Sequence, residues 1–245
     1  MQTRWLRGEQ DAPDPQAGPG IFETFRWHNG PPPAWRLHGQ RWQAGLAALQ
    51  LASPQLSDLL IELREILPPA QPLRARLRLF PTGRVQLAWR PLEPDELTPR
   101  PWRLLALGRA QPRPPHLQGC KPFGPIDTQA WRTLAQQQDA DEALLLGPQQ
   151  QWAETPTANL LVGLQDGKLV TPHVGSGALL GTTLEFLSRQ LPIDRAQLDA
   201  SVLPHLRWAV LLNAIVLVRP VLSIDRVALP PPPSDFLHWV DDLRR

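Results

Sequence analysis

Gly20-Ile21-Phe22-Glu23-Thr24-Phe25-Arg26-Trp27-His28 runs straight into Asn29-Gly30 and then into Pro31-Pro32-Pro33. The first nine residues are rich in the aromatic and β-branched types that fit a pleated surface, and they predict a strand over about 20 to 28. Asn-Gly takes up left-handed backbone readily, so the chain turns there. Successive strand side chains point to opposite faces, which sets Phe22, Thr24 and Arg26 together on one side. After the prolines, a helix is expected from about 38 to 51.

Working outward, Leu56, Leu59, Leu60, Leu63 and Leu67 recur at helical spacing and predict a second helix over Gln55 to Leu67. Strands Leu73 to Phe80 and Arg84 to Pro91 follow, joined by the hairpin chemistry of Pro81-Thr82-Gly83. A strand at Trp102 to Gly108 is expected to complete an α+β unit. Pro112-Arg113-Pro114-Pro115 is the best linker in a chain with 30 prolines, because proline blocks both helix and ladder hydrogen bonds. The expected domains are therefore a smaller one over 1–110 and a larger one over 111–245.

Beyond the linker, a helix is expected over about Thr128 to Asp139, then a strand Glu142 to Leu146. Asn159 to Leu164 pairs with Leu169 to Thr171 across Gln165-Asp166-Gly167-Lys168. Gly181-Thr182-Thr183 leads into an amphipathic helix reaching about Gln190. Trp208 to Val218 reads as a buried strand pair, and Ser234, a good N-cap before Asp235, opens a final helix to Arg245.

The composition excludes several classes. Of 245 residues, 42% are apolar and no run is long enough to span a bilayer. Met1-Gln2-Thr3-Arg4-Trp5 lacks the pattern of a secretory signal, and the lone Cys120 cannot close an internal disulfide, so the expected compartment is the cytoplasm. A net charge of +2 does not suggest a nucleic-acid footprint. There is no zinc-type spacing, no phosphate-binding Walker loop and no G-x-G-x-x-G, and no metal is expected.

Only Lys121 and Lys168 are lysines among 25 basic Lys and Arg residues. Arginine serves bulk charge and carboxylate pairing as well or better, but it stays protonated and cannot act as a neutral amine toward a carbonyl. Lys168 follows a hairpin turn, where an exposed lysine is ordinary. Lys121 has no such explanation.

Taken in order, several segments resemble the class IV pyridoxal-phosphate enzymes, the group of branched-chain aminotransferase, D-amino acid aminotransferase and aminodeoxychorismate lyase. Gly20 to Arg26 resembles a G-x-F-E-T-x-R strand, and Leu37-His38-Gly39-Gln40-Arg41-Trp42 is similar to L-x-x-H-x-x-R-L. Asp141 to Leu146 resembles D-E-A-L-L-L, and Glu154-Thr155-Pro156-Thr157-Ala158-Asn159-Leu160 resembles E-x-x-x-x-N-L-F. Thr171-Pro172, Leu180-Gly181-Thr182-Thr183 and Asn213-Ala214 through Pro220-Val221 complete the order, with Lys121 where the family has its cofactor lysine.

This resemblance implies a two-domain fold type IV enzyme, like D-amino acid aminotransferase, in which α+β and α/β domains hold pyridoxal 5'-phosphate in the cleft between them. It implies Lys121 as the amine that binds the cofactor and moves protons, and Glu154 as the carboxylate at the ring nitrogen. Arg41, Gly181, Thr182 and Thr183 correspond to the phosphate-binding residues, and Phe22, Thr24 and Arg26 to a face bordering the pocket for a small-molecule substrate. It further implies a homodimer.

Two departures bear on the cofactor site and a third narrows the activity. The arginine expected after Thr183 is Leu184, and no D-R-G segment precedes the first strand. Transaminases of this group commonly carry a tyrosine five residues after the lysine, where this chain has Ile126, and tyrosine is absent altogether. The resemblance therefore favours elimination from 4-amino-4-deoxychorismate, giving 4-aminobenzoate and pyruvate. The alternatives are a branched-chain or D-amino acid transaminase and a family member that binds the cofactor without turnover.

Overall fold

A computed structural model describes residues 1–7, 20–109, 119–123 and 128–242. Ile126 lies outside the described residues. The chain divides into two compact units, Met1–Glu93 with Pro114–Ile126 and Pro94–Arg113 with Asp127–Arg245.

In chain order, the first unit begins with strands β1 (Gln2–Arg7) and β2 (Gly20–Trp27), helices α1 (Trp35–Ala48) and α2 (Leu60–Ile66), and strands β3 (Leu73–Leu79) and β4 (Val85–Pro91). The chain enters the second unit with α3 (Pro94–Leu97) and β5 (Trp102–Arg109), and returns to the first for β6 (Pro122–Phe123). The second unit then continues with α4 (Thr128–Gln136), β7 (Glu142–Leu146), β8 (Asn159–Leu164), β9 (Leu169–Pro172), α5 (Thr182–Ser188) and β10 (Ile193–Ala196). It ends with β11 (Leu206–Asn213), β12 (Leu217–Ile224), β13 (Val227–Ala228) and α6 (Ser234–Asp242).

The first unit is an antiparallel sheet in the order β1-β4-β3-β2-β6. Its strands alternate as a half-buried sheet must: Leu73, Ala75, Leu77 and Leu79 are buried, while Arg74, Arg76 and Arg78 between them are partly exposed. The apolar face packs on α1 and α2 through Phe25, Trp27, Trp42, Leu59 and Leu63. Phe25 meets Trp35 edge-on, with ring centroids 5.0 Å apart. Helix α1 crosses β2 so closely that a Cβ on Gly45 would fall 2.9 Å from the Ile21 side chain. The hairpin between β3 and β4 turns at Gly83, whose φ of +78° is left-handed.

Both helices of this unit differ in extent from their expected ranges. Helix α1 starts at Trp35, with Ala34 as its N-cap after the prolines, and gives way to Gln50, whose φ of +51° ends helical backbone. Residues 56–59 form turns ahead of α2. Leu56, Leu59, Leu63 and Leu67 are nevertheless all buried, as their spacing predicts.

The second sheet runs β10-β9-β8-β11-β12-β5-β7, with β13 added to β12. Its centre is antiparallel, whereas β10 with β9, and β5 with both β12 and β7, are parallel pairs. Both faces are covered. Leu160, Val162, Ala209 and Leu211 join one cluster, while Leu161, Val210 and Leu212 join another with Leu184 and Leu187 of α5 and Val240 of α6. Strands buried on both faces read as continuous apolar runs, which is why β8 and β11 show no alternation. Among the described residues no helix is long and apolar enough to cross a membrane.

Strand β5, expected in the first unit, belongs to the second sheet. Trp102 and Leu104 enter the core with Val221 and Ile224, and Asp225 ties the strand down, its Oδ1 accepting from the Ala106 N–H at 2.7 Å and its own N–H donating to Leu104 at 3.0 Å. A division at residue 110 differs from the structure for the same reason. The first unit pauses at Glu93 and regains a later segment, because the Phe22 N–H donates to the carbonyl of Lys121 at 3.0 Å. Strands β1, β6, β10 and β13 and helix α3 are not among the elements expected from the sequence.

Glu142 is fully buried in the second unit. Burial pushes its carboxyl up to about 7, against the Arg132 guanidinium at 3.8 Å and the hydrogen bonds from the Ala143 N–H and the Thr157 hydroxyl, which pull it down. The folded protein therefore keeps a proton that the unfolded chain releases near pH 4.5, so this contribution to stability declines as pH rises from about 4.5 to 7. In chemical denaturation, Glu142→Gln is expected to lose that decline, a difference on the order of 3 kcal/mol across the window. Parallel pH profiles for the parent and the variant would contradict it.

Candidate functional site

The site residues of the first unit are arranged by one acid. Glu23 sits between Ile21 and Phe25 on the inward side of β2, 1% exposed. A carboxylate buried there is tolerable only if it is answered by charge and hydrogen bonds. Arg41 of α1 donates from Nε to Oε1 at 2.7 Å and from Nη2 to Oε2 at 2.5 Å, and His38 Nδ1 lies 2.6 Å from Oε2. His38 and Arg41 are three positions apart, so one helix face delivers both. Burial raises the Glu23 carboxyl, but the Arg41 charge and the hydrogen bonds from Arg41 and His38 outweigh it and hold the pKa at about 2. His38 is fully buried, and burial lowers its pKa despite Glu23. With Glu23 ionised, Nδ1 of a neutral His38 carries the proton and donates it to the carboxylate.

With Glu23 inward, Phe22, Thr24 and Arg26 fall on the opposite face, as the alternation requires. The bond from Phe22 N–H to the Lys121 carbonyl draws the returning segment alongside β2. Lys121 Nζ lies 4.7 Å from the centroid of the Phe22 ring. Thr24 Oγ1 accepts from Arg76 Nε at 3.1 Å. The structure thus gathers Lys121, Phe22 and Thr24 on one side of β2, with Arg26 at the end of the same row, and places Arg41 on the other side through Glu23.

In the second unit, Glu154 forms an isolated bridge with Asn159 around a turn that Thr155 closes, its N–H donating to Ala158 O at 2.9 Å and its hydroxyl oxygen accepting from Ala158 N at 3.0 Å. Glu154 Oε2 accepts from the Leu179 N–H at 2.9 Å and from Asn159 Nδ2 at 3.3 Å, and Asn159 Nδ2 also donates to Leu179 O at 2.8 Å. Asn159 is therefore a positioning residue. A Cβ on Gly181 would lie 1.8 Å from Asn159 Oδ1, so only glycine allows this approach. Gly181 is the extended N-cap of α5, and Thr182 and Thr183, both buried, form its first turn. Glu154, Gly181, Thr182 and Thr183 are thus brought together. Leu184, which replaces the expected arginine, is 1% exposed and packs in the core beside Leu161 and Val210.

Each unit, taken by itself, carries groups that suit part of an aldehyde cofactor bearing a phosphate. The chain offers an amine at Lys121, a carboxylate held by two N–H donors at Glu154, and a glycine with two hydroxyls at the start of α5. Among the described residues, no group of His, Cys, Asp and Glu could hold a metal ion.

Glu23 and His38 stand in the sequence only as parts of a motif, with no task of their own. The legible signal was an acid at an inward strand position followed by His and Arg three apart on a helix. Asn213 also turns out to be structural: its Oδ1 accepts from the N–H groups of Ile215 and Val216, both at 2.9 Å, at the turn into β12.

The profile of the family Amino-transferase class IV matches residues 20–224. No curated protein matches the sequence. Among solved structures, a Legionella pneumophila protein with the provisional designation 4-amino-4-deoxychorismate lyase aligns with a TM-score of 0.77 at 21% identity, covering 92% of this chain and 90% of that one. A fold IV transaminase from Curtobacterium pusillum gives 0.77 at 22% identity, covering 97% and 93%. A hypothetical aminotransferase from Mycobacterium tuberculosis, in a form with pyridoxal phosphate bound, gives 0.79 at 18% identity, covering 91% and 88%. At these identities the likeness shows the fold, which is fold type IV.

Breaking a buried ion pair from one side leaves the other charge unanswered. Glu23→Gln is expected to cost about 3 to 5 kcal/mol in chemical denaturation. A Glu23→Leu, Arg41→Met double variant should lose less than the two single variants added together. Strictly additive losses would show that the pair is not coupled.

Proposed function

We propose, from the premise that this chain belongs to the class IV amino-transferase family, that it is a pyridoxal-phosphate-dependent lyase converting 4-amino-4-deoxychorismate into 4-aminobenzoate and pyruvate. When bound, pyridoxal phosphate supplies an aldehyde for an amine to condense with and a ring that accepts electrons from the substrate. By the family resemblance, Lys121, Arg41, Glu154, Gly181, Thr182 and Thr183 are the residues that would hold it. Arg41 would offer its cation to the phosphate with its guanidinium plane set by Glu23. Glu154, fixed by Leu179 and Asn159, would keep the ring nitrogen protonated. The Gly181 N–H region and the two threonine hydroxyls suit phosphate oxygens.

Lys121 Nζ is then the base that takes the proton from the amine-bearing ring carbon. The substrate ring loses that proton and its enolpyruvyl group, which leaves as the enol of pyruvate, and the six-membered ring becomes aromatic. Atoms and electrons balance without an oxidant or a second substrate. Aromatisation supplies the driving force.

The observation that carries elimination over amino transfer is the complete absence of tyrosine. No phenol anywhere in the chain can donate to the cofactor oxygen as in the tyrosine-bearing transaminases. Purified protein given 4-amino-4-deoxychorismate is expected to release pyruvate and 4-aminobenzoate in equal amounts with no 2-oxo acid present. Glu154→Gln should keep most of the cofactor and lose this turnover. A requirement for 2-oxoglutarate, with conversion of a branched-chain or D-amino acid, would replace the lyase by a transaminase.

A further inference from the structure

Strand β7 holds the Glu154 segment at two points. The Leu145 N–H donates to the Glu154 carbonyl at 2.8 Å and the Ala153 N–H to the Leu145 carbonyl at 2.9 Å, so the backbone of β7 grips the residues ahead of the turn over 155–158. Earlier on the same strand, Glu142 reaches the turn itself. Its Oε2 accepts from the Thr157 hydroxyl at 3.4 Å, and the Thr157 N–H donates to Thr155 Oγ1, the atom that also accepts from Ala158 N. The first contact is backbone and fixed, whereas the second ends on a group that can gain or lose a proton.

Glu142 is only partly answered. Its Oε1 accepts from the Ala143 N–H at 3.2 Å. Arg132 Nε is buried, makes no hydrogen bond among the described residues, and stops 3.8 Å from the same Oε2 that Thr157 reaches. That separation is within ion-pair range and beyond a hydrogen bond. The Arg132 guanidinium carbon lies 5.1 Å from the centroid of the Trp102 ring, and that of Arg219 lies 3.9 Å from it. Arg219 is committed to Asp95 at 2.8 Å, and Asp141, beside Glu142 on β7, is taken by Arg100 and Arg103. Arg132 from α4 and Arg219 from β12 are the charges that act on Glu142, and Arg132 is the one placed to close on it. A neutral acid draws a hydroxyl and a guanidinium weakly, but a carboxylate makes charge-assisted bonds that are shorter and about twice as strong. Burial, opposed by these partners, sets the loss of the Glu142 proton at about 7.

We propose that Glu142 is a proton-operated positioning residue for Glu154: neutral, it leaves the turn over 155–158 slack, and ionised, it draws Thr157 and Arg132 onto Oε2 and tightens that turn. The inference rests on Glu154 being the carboxylate at the ring nitrogen of the cofactor. Linkage is reciprocal, so a cofactor held by Glu154 favours the ionised Glu142, and the ionised Glu142 favours the cofactor.

Amide hydrogen exchange tests this, read as the protection of Thr155 and Ala158 relative to Leu161 and Val210 in the core strands, because charging a buried acid lowers the stability of the whole unit over the same window. In cofactor-free protein the ratio is expected to rise about fivefold as pH passes about 7, the scale of one hydrogen bond. Glu142→Gln should hold it at the low-pH value throughout. Thr157→Val should also flatten it, while the carboxylic-acid band of Glu142 in the infrared spectrum still vanishes with rising pH. Arg132→Met should move the step to higher pH, because the acid loses its cation, and saturating pyridoxal phosphate should move it to lower pH. A ratio independent of pH in the parent, a step that survives in Glu142→Gln, or a step unmoved in Arg132→Met would overturn the proposal. If Glu142→Gln does not fold, the direction of the shift in Arg132→Met decides. Pyruvate release without a cofactor-induced shift would defeat this inference alone, and the shift without pyruvate release would defeat the lyase reading alone.

Discussion

A single buried carboxylate governs the first unit. Glu23 points into an apolar face made by Phe25, Trp27, Trp42 and Leu63, and its charge is tolerable there only because Arg41 and His38 reach it from α1. That demand fixes the distance and rotation of α1 against β2. It also fixes the strand: a slip of one residue would send Glu23 outward and bury Phe22, Thr24 and Arg26 instead. The face that meets Lys121 is therefore the geometric complement of the ion pair behind it. Gly45 allows the same close approach from the helix side.

The second unit solves a different problem. Its sheet is covered on both sides, so a polar group near the sheet needs fixed partners. Glu154 finds them in the Leu179 N–H and the Asn159 amide, and Asn159 in turn fills the space a side chain at position 181 would need. Carboxylate, amide and glycine form one unit, which brings Glu154 to the start of α5. Leu184 follows the same logic, since its side chain completes the core under that helix.

Much of this was legible in the sequence because it rests on local rules. Turn chemistry at Pro81-Thr82-Gly83, alternation in Leu73 to Leu79, and the apolar run of β8 all appear as expected, and β7 matches its range. What was not legible depends on long-range pairing. Strand β5 looks like a neighbour of β4, but the ties of Asp225 to Ala106 and Leu104 carry it to the second sheet. Short strands such as β6 and β10 gain their identity from partners far along the chain. The task of Glu23 was hidden for the same reason, since motif position alone does not say which face an acid takes.

Lys121, brought beside β2 by its carbonyl, is proposed as the amine that holds the cofactor. Borohydride reduction of cofactor-loaded protein, followed by peptide mapping, tests it most directly. The pyridoxyl mass is expected on the peptide containing Lys121. Label on Lys168 instead, or no label from protein that carries the cofactor, would contradict it.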